Sequence, residues 1–280
     1  MFSLLFSNTN TQIQNNGSNN KYNHIAEYID SFVHHGHIII IFELLSLDLY
    51  HVISKRNHYG LPIEIVSSVT RQILSGLNEL HNCNIIHGDI KPENILLFDE
   101  TSLKVKISDF GSSRLANQEY STYIVSRYYR APEIVLKLPH GFPIDIWATA
   151  CVAFELFIGI PLFPGQSSGH LLEYISKFIG PFPSDFVAQS QFKNEYFNPD
   201  GTVKASERNG FSDYFTKDTL ENIILDYELR FGRTKEEKAR EKAKRLVFAS
   251  FLKLLLQIDP SKRPSSQEAL QHPFVNDNNL

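Results

Sequence analysis

Apolar residues recur at helical spacing after residue 60. The first such stripe comprises Ile65, Val69, Ile73, Leu77 and Leu80. Intervals of three or four residues place these side chains on one face of a helix. Pro62 stands near the start, where a first helical turn tolerates a residue without an N–H group. The pattern therefore predicts a helix over residues 61–81 with one face against a core.

Residues 144–163 form a second apolar stretch, IDIWATACVAFELFIGIPLF. Asp145 opens it, Glu155 lies inside it, and Gly159 and Pro161 interrupt it. The unbroken part is shorter than the ~20 residues that a bilayer requires. Because a helix that is apolar on all sides is typical of the centre of a large domain, we predict a buried helix here.

Shorter apolar runs predict strands. Two β-rich runs flank the turn His34–His37, which indicates a β-hairpin. The three histidines could suggest a metal site, but an exposed turn is the preferred interpretation because no cysteine or carboxylate completes a ligand set. Two further strand-like runs flank a polar turn at residues 99–102. Residues 8–23 contain seven asparagines and predict a low-complexity loop.

The composition narrows the class of protein. Among 280 residues, 42% are apolar and 21% are charged, which suffices for a sizeable core and excludes disorder for most of the chain. The net charge of −4 argues against a nucleic-acid-binding protein. Two cysteines cannot form a disulfide framework, and the first residues do not resemble a signal peptide. We therefore expect a protein of the cytoplasm or nucleus.

A charge run covers residues 230–245, RFGRTKEEKAREKAKR. The pairs Glu236–Arg240 and Glu241–Arg245 have the favourable spacing of four residues, so we predict a solvated helix. A nuclear-localisation signal and a nucleic-acid-binding segment are weaker interpretations of the same residues.

The segment His87-Gly88-Asp89-Ile90-Lys91-Pro92-Glu93-Asn94 carries the most specific chemistry. In one compact loop, a carboxylate can accept a hydroxyl proton, an ammonium can neutralise a phosphate oxygen, and an amide oxygen can bind Mg²⁺. Asp109-Phe110-Gly111 supplies a second oxygen ligand for a hard cation. These are the groups that phosphoryl transfer requires, and Ala131-Pro132-Glu133 follows in the order of a phosphotransfer signature.

The motifs HGDIKPENILL, ISDFGSS and RAPE resemble the catalytic loop, the magnesium loop and the end of the activation segment of eukaryotic protein kinases. HIIIIFELLSLDLYHVI and STYIVSRYYRAPEIVL are similar to the dual-specificity tyrosine-regulated and homeodomain-interacting kinases of the CMGC group. The resemblance covers about residues 24–275. It implies an α+β protein-kinase fold, with a largely α-helical large lobe and an incomplete β small lobe.

The resemblance also implies a division of the chain. Residues 1–23 would be an Asn-rich segment after a remnant of helix C, and residues 24–45 would be a remnant of the small lobe with two strands and the hinge. Residues 46–280 would form the large lobe, including a group-specific insert at about residues 178–225.

Catalytic roles follow from the resemblance. Asp89 would be the catalytic base, and Lys91 would contact the γ-phosphate and favour serine and threonine substrates. Asn94 and Asp109 would hold two Mg²⁺ ions. Ser126 would bond to Asp89 and Lys91 from the activation segment.

The resemblance also implies an ATP site. Phe42 would be the gatekeeper behind adenine, Glu43 and Leu45 would offer backbone groups to it, and Leu96 would form the floor of the pocket. ATP and Mg²⁺ are therefore the expected cofactors. We expect protein substrates, no nucleic-acid or membrane partner, and a monomer.

The activation segment carries an expected regulatory site. Tyr123 matches a tyrosine that such kinases phosphorylate themselves, and Arg127 and Arg130 are candidate partners for the phosphate. Alternatively, Tyr123 packs and the two arginines pair with nearby carboxylates.

Other matching residues are expected to be structural. His87 and Phe110 would stack in a hydrophobic spine, and Glu133 would form a buried pair with Arg263. Asp145 would both cap the apolar helix and bond to the backbone of the catalytic loop.

The sequence departs from the kinase pattern at two points, of which the second is severe and lowers the expected activity. Gly88 occupies a position where many kinases carry arginine. No G-x-G-x-x-G-x-V loop and no V-A-I-K strand precede the catalytic loop. We therefore expect the 280-residue chain to be very weakly active or inactive. The sequence leaves open a shortened version of an active kinase and a non-catalytic scaffold that binds protein partners.

Overall fold

The computed structural model describes residues 23–99, 101–118, 125–206, 215–217, 219–227 and 234–276. An antiparallel hairpin of β1 (Tyr28–His34) and β2 (His37–Phe42) comes first. His35 and Gly36 connect the strands with φ angles of 48° and 78°, as expected for a tight hairpin turn. The predicted hairpin is therefore present, and within the described part of the chain its histidines belong to no metal-binding group.

The two helices predicted from the apolar stretches form the centre of the molecule, and α2 (Ile63–Asn82) is the first of them. Helix α2 matches the predicted helix within two residues at each end, and it follows the short helix α1 (Leu49–Lys55). Val69, Ile73, Leu77 and Leu80 of the predicted stripe are buried, whereas Ile65 is half-buried.

Helix α4 (Pro143–Ile158) is buried along its length, as predicted for the second apolar stretch. It ends at Gly159, whose φ of 96° favours glycine. A Cβ atom there would lie 1.9 Å from the carbonyl oxygen of His58, so the close approach also requires glycine. Within the described ranges, no helix is long and apolar enough to span a bilayer.

The other described helices surround this centre, and all but one of them are shorter than the two central helices. They are α3 (Pro132–Val135), α5 (Ser168–Phe178), α6 (Ser184–Ala188), α7 (Lys193–Tyr196), α8 (Leu220–Asp226), the longer α9 (Lys235–Leu255), α10 (Ser266–Ala269) and α11 (Pro273–Asn276).

The expectation of a solvated helix at the charge run is only partly right. The first turns of α9 are exposed, but Glu241 and Arg245 are buried and bonded to each other at 3.2 Å. Arg245 also donates to carbonyl oxygens at the end of α8, including that of Leu225 at 3.0 Å. One face of the second half of α9 is buried because Phe248 and Leu252 belong to the core, and Glu241 and Arg245 are buried with that face.

Two small antiparallel sheets position the loops that carry polar chemistry. Strand β3 (Ile85–Ile86) pairs with β6 (Arg114–Leu115), and β4 (Ile95–Leu97) pairs with β5 (Val105–Ile107). The loop after β3 and the loop after β5 therefore both run between the same two sheets. The division into residues 1–23, 24–45 and 46–280, with its insert, stays a prediction.

A buried ion pair connects the end of the chain to the centre. Arg263 donates to both oxygens of Glu133 at 2.6 and 2.7 Å, and both side chains are fully buried. Its remaining N–H groups donate to the carbonyls of Pro143, Gln257 and Ile258, so all five donors are used. The structure thus brings together the two residues that the resemblance pairs.

We expect the variant Arg263→Met to lower the free energy of unfolding by ~3–5 kcal/mol, because it leaves the Glu133 carboxylate buried without its partner. Denaturant unfolding of the purified chain measures this change. Lys253→Met, which removes an exposed pair with Glu221, is the control and should cost less than ~1 kcal/mol. Equal losses in the two variants would contradict the assigned role.

Candidate active site

Three residues, Lys91, Asn94 and Ser126, make four hydrogen bonds to the carboxylate of Asp89 in the loop between β3 and β4. Lys91 Nζ donates to Asp89 Oδ2 at 2.7 Å, and Asn94 Nδ2 donates to the same oxygen at 3.2 Å. The backbone N–H and Oγ of Ser126 donate to Asp89 Oδ1 at 3.0 and 2.9 Å. Lys91 Nζ also donates to Ser126 Oγ at 3.1 Å, which closes the cluster.

These contacts determine the charge of Asp89. Burial by itself would raise the pKa of Asp89, but the hydrogen bonds from Lys91 and Ser126 outweigh it and leave the pKa below its ordinary value. The carboxylate is therefore ionised at neutral pH. An ionised carboxylate with oriented donors around it can accept a hydrogen bond, and then a proton, from a hydroxyl group.

The carboxylate of Asp145, in α4, holds the same loop through hydrogen bonds to its backbone. It accepts from the backbone N–H groups of His87 and Gly88, both at 2.9 Å, and contacts His81 Nε2 at 3.0 Å. Burial would raise the pKa of Asp145, but the hydrogen bond and charge of His81 and the N–H of Gly88 hold it below its ordinary value. Gly88 has a φ of 78° here, and a Cβ atom would lie 2.9 Å from the Ser112 oxygen.

The expectation that Asp145 caps α4 is wrong. The helix begins at Pro143, and Phe142 is the N-cap residue. Proline occupies the first helical position readily because that position needs no N–H donor. Asp145 consequently lies within the first turn, where its side chain bonds to the loop rather than to the helix.

The second loop begins at Asp109, which adopts a left-handed backbone with φ 59° and ψ 80°. One carboxylate oxygen accepts from Gly111 N at 3.1 Å, while the residue stays exposed. The Phe110 ring beside it is buried and contacts the His87 ring edge-on, with centroids 5.3 Å apart. Burial lowers the pKa of His87, which therefore stays neutral and contacts the Ser108 carbonyl oxygen through Nε2 at 3.0 Å.

The oxygen atoms of the two loops fit a hard divalent cation. Asn94 uses its amide nitrogen for both of its hydrogen bonds to Asp89, so its carbonyl oxygen is the atom left for a ligand. The N–H and Oγ of Ser108 both donate to the Asn94 backbone oxygen, at 2.9 and 3.0 Å, and so tie the strand that leads to Asp109 to the first loop. Amide and carboxylate oxygens are the preferred ligands of such cations.

The residues expected around adenine lie at the end of β2, in the segment that follows it, and in β4. Phe42 ends β2, and the chain then passes β4, where Ser46 N donates to Leu97 O at 2.9 Å. Leu96, the expected floor of the pocket, lies between the buried Ile95 and this contact. The segment that contains Glu43 and Leu45 thus runs beside the strand that leads back to Asn94.

The expected regulatory residues are only partly described. Tyr123 lies outside the described residues. Arg127 donates to the Gln166 carbonyl oxygen, and Arg130 donates to the Val125 carbonyl oxygen at 2.9 and 3.3 Å. Val125 has a φ of 68°, which strains a β-branched residue. The neighbouring Ser126 is therefore presented to Asp89 from a strained backbone.

A second acidic site beside Ser126 is absent from the sequence-based predictions. Tyr129 donates from its hydroxyl to Glu155 Oε2 at 2.7 Å, and burial raises the pKa of Glu155 to about 7. Both residues, together with Glu93 and Arg127, line a cavity of about 360 Å³. A carboxylate within an otherwise apolar helix was the available signal, since a buried carboxyl group requires a partner.

Comparisons with known proteins identify the family of the chain. The family model described as "Protein kinase domain" matches residues 8–275. The chain is 37% identical over 283 residues to the probable serine/threonine-protein kinase yakA of Dictyostelium discoideum, covering 90% of this chain and 19% of the relative.

Two further relatives show similar identity. Serine/threonine-protein kinase ppk15 of Schizosaccharomyces pombe is 37% identical, with 92% of this chain and 52% of the relative covered. Dual specificity tyrosine-phosphorylation-regulated kinase 3 of Rattus norvegicus is 36% identical, with 90% and 43% covered. The chain thus spans about half, or less, of the length of these relatives.

We expect Asp145→Asn to lower the free energy of unfolding by about 1–3 kcal/mol at neutral pH, because an amide cannot accept from both backbone N–H groups of the loop. Since the pKa of Asp145 is lowered in the folded state, its stabilisation is complete above the ordinary value of 3.8 and is lost as the pH falls below it. Denaturant unfolding between pH 7 and pH 3 should therefore show the difference from wild type shrinking below about pH 4.

The control for this variant is Asp185→Asn, an exposed carboxylate in the first turn of α6. Its effect should stay within about 0.5 kcal/mol at neutral pH. A cost for Asp145→Asn that matches the control would show that the loop does not depend on this carboxylate.

Proposed function

Because the chain belongs to the protein kinase domain family, we propose that it transfers the γ-phosphate of ATP to serine and threonine hydroxyls of proteins. One observation carries the proposal: the ionised carboxylate of Asp89 sits among Lys91, Asn94 and Ser126, next to the loop that begins with Asp109. The names of the relatives, which are serine/threonine and dual-specificity kinases, support the reaction class.

In the proposed reaction, a substrate hydroxyl lies within hydrogen-bond distance of Asp89. Its oxygen forms a bond to the γ-phosphorus while the bond from that phosphorus to the leaving β-phosphate oxygen breaks. Asp89 accepts the hydroxyl proton, and the Lys91 ammonium neutralises charge on the phosphoryl oxygens. Ser126 and Asn94 keep the carboxylate in one orientation throughout. The contribution of these residues is positioning and charge stabilisation.

A protein kinase domain implies ATP and a divalent metal. We infer that the metal is Mg²⁺ and that Asn94 and Asp109 would supply its protein ligands, because both offer oxygen atoms from loops tied together through Ser108. When bound, Mg²⁺ neutralises the phosphate charge and orients the chain of phosphates. Around adenine, Phe42, Glu43, Leu45 and Leu96 remain the proposed contacts.

Phosphorylation of Tyr123 by the chain itself is the second part of the proposal. The dual-specificity relatives support it by name. Arg127 and Arg130 are bonded to the carbonyls of Gln166 and Val125. A phosphate would therefore have to exchange or share these contacts to gain charge-assisted bonds. A monomer in the cytoplasm or nucleus, without nucleic-acid or membrane partners, stays a prediction.

The alternative function is a non-catalytic scaffold that binds protein partners. It is supported by the absence, from the sequence ahead of Asp89, of a glycine-rich phosphate-covering loop and an anchoring lysine. Such groups matter to a kinase because one preorganised charge-stabilising group typically contributes ~10²–10³ in rate. The two functions differ in whether the chain binds MgATP and transfers phosphate.

The deciding experiment measures transfer of ³²P from labelled ATP to protein substrates and maps the modified residues by mass spectrometry. We expect Asp89→Ala to lower the rate of transfer by ~10²–10⁴, because the hydroxyl proton loses its acceptor. Asp99→Asn should leave the rate unchanged, since this partly exposed carboxylate accepts hydrogen bonds from Thr101 and Ser102 in its own turn.

The results separate the two functions. Phosphate on serine and threonine that depends on Asp89 supports the enzyme. Transfer that survives Asp89→Ala would refute the assigned base, and a chain that neither binds MgATP nor transfers phosphate would favour the scaffold.

A further inference from the structure

Lys106 is a buried lysine that the proposed reaction does not use. Its Nζ contacts Glu43 Oε1 at 2.5 Å, and the two side chains are only 9% and 16% exposed. The same Oε1 atom accepts from the backbone N–H of Glu27 at 2.7 Å. One carboxylate oxygen thus joins three segments, namely the residues before β1, the residue after β2, and strand β5.

The Lys106–Glu43 pair lies beside the residues proposed to bind the nucleotide. Lys106 lies directly opposite Leu96 in the β4–β5 ladder, so both side chains point to the same face. Leu96 is the proposed floor of the adenine pocket, and β5 leads within three residues to Asp109. The Lys106–Glu43 pair therefore spans from the adenine-contacting segment to the strand that leads to the proposed magnesium loop.

The charge of Lys106 also acts on a second carboxylate, that of Glu79, so two partners are available to the lysine. Glu79 of α2 has a buried Oε2 atom that lacks a hydrogen-bond partner in the described part of the chain. Burial raises the pKa of Glu79 to about 7, while the charge of Lys106 opposes that rise. Lys106 nevertheless makes its direct bond to Glu43. If Lys106 served only to neutralise a buried carboxylate, Glu79 could equally be its partner. The direct bond to Glu43 therefore indicates a more specific role.

We propose that Lys106 and Glu43 form a positioning pair that holds the backbone of residues 43–45 in the orientation that receives adenine. The inference rests on the proposed function, since it names residues that prepare the ATP site of that reaction. Neither residue touches the reacting atoms, so Lys106 is a positioning residue and acts through Glu43.

The physical reason lies in how the segment is anchored. Its far end is fixed to β4, because Ser46 N donates to Leu97 O at 2.9 Å and Leu97 N donates to Leu47 O at 2.8 Å. Between the anchors, Leu44 is 95% exposed and belongs to no strand. At the near end, Glu43 N donates to Glu27 O at 2.9 Å, and a side-chain bond from Lys106 additionally ties Glu43 to β5. Without it, the segment would have to be ordered when nucleotide binds, which weakens binding.

The test compares four single variants of the full chain. Lys106→Met removes the ammonium, Lys106→Arg retains a donor for Glu43, Lys104→Met changes an exposed lysine two residues away, and Glu79→Gln neutralises the other facing carboxylate. Calorimetry measures the Kd of MgADP, steady-state transfer measures KM for ATP and kcat, and thermal unfolding checks that each variant is folded at the assay temperature.

We expect Lys106→Met to raise the Kd and KM by about three- to tenfold, the range that ordering one or two groups implies, while kcat changes by less than about twofold. Lys106→Arg should restore most of the affinity, and Lys104→Met and Glu79→Gln should bind like wild type. Adding Glu43→Gln to Lys106→Met should weaken binding no further, because the contact is already lost.

Two results would overturn the inference while leaving the proposed function intact: wild-type affinity in Lys106→Met, or a fall in kcat with KM unchanged. An equal loss of affinity in Lys104→Met, which makes the same change in net charge, would likewise refute it, because the effect would then be one of net charge. Failure of the wild-type chain to bind MgADP would contradict the proposed function itself, and the positioning pair with it.

Discussion

The catalytic loop depends on one carboxylate that does not take part in the proposed chemistry. Asp145 accepts the N–H groups of His87 and Gly88, and this contact fixes the direction in which the loop leaves β3. The loop can then bring Asp89, Lys91 and Asn94 together within a few residues. Because Asp145 stands on the most buried helix, its position is determined by core packing. The rigidity of the core is thereby passed to the loop that carries the polar groups.

Two buried ion pairs connect distant segments of the fold. The Glu133–Arg263 pair joins residues 130 positions apart, and the Lys106–Glu43 pair joins residues 63 positions apart. Breaking such contacts leaves an uncompensated charge in a poorly solvating environment, so each one specifies how distant segments meet. At Asp89, the same principle serves a different purpose. Its partners hold it ionised, while its side chain remains 12% exposed.

Local patterns predicted those elements whose cause is local. The stripe in residues 61–81 predicted α2, and the β-rich runs around His34–His37 predicted the hairpin, because periodicity and turn geometry act over a few residues. Asp145 shows the limit of this reasoning. An aspartate near the start of a helix resembles a cap, and only the approach of the loop after β3 gives it other donors.

Glu241 and Arg245 of α9 show the same limit. Their spacing predicted an exposed pair, but the core residues of the same helix bury them. What the sequence alone determined is the chemistry available: the order and spacing of the acid, base and amide groups, and the family pattern that they match. Only the tertiary structure decided which carboxylates are held ionised, which of them anchor a loop, and which lysine bonds to the segment after β2. Those roles depend on burial and on partners from remote segments, and neither quantity exists until the chain is packed.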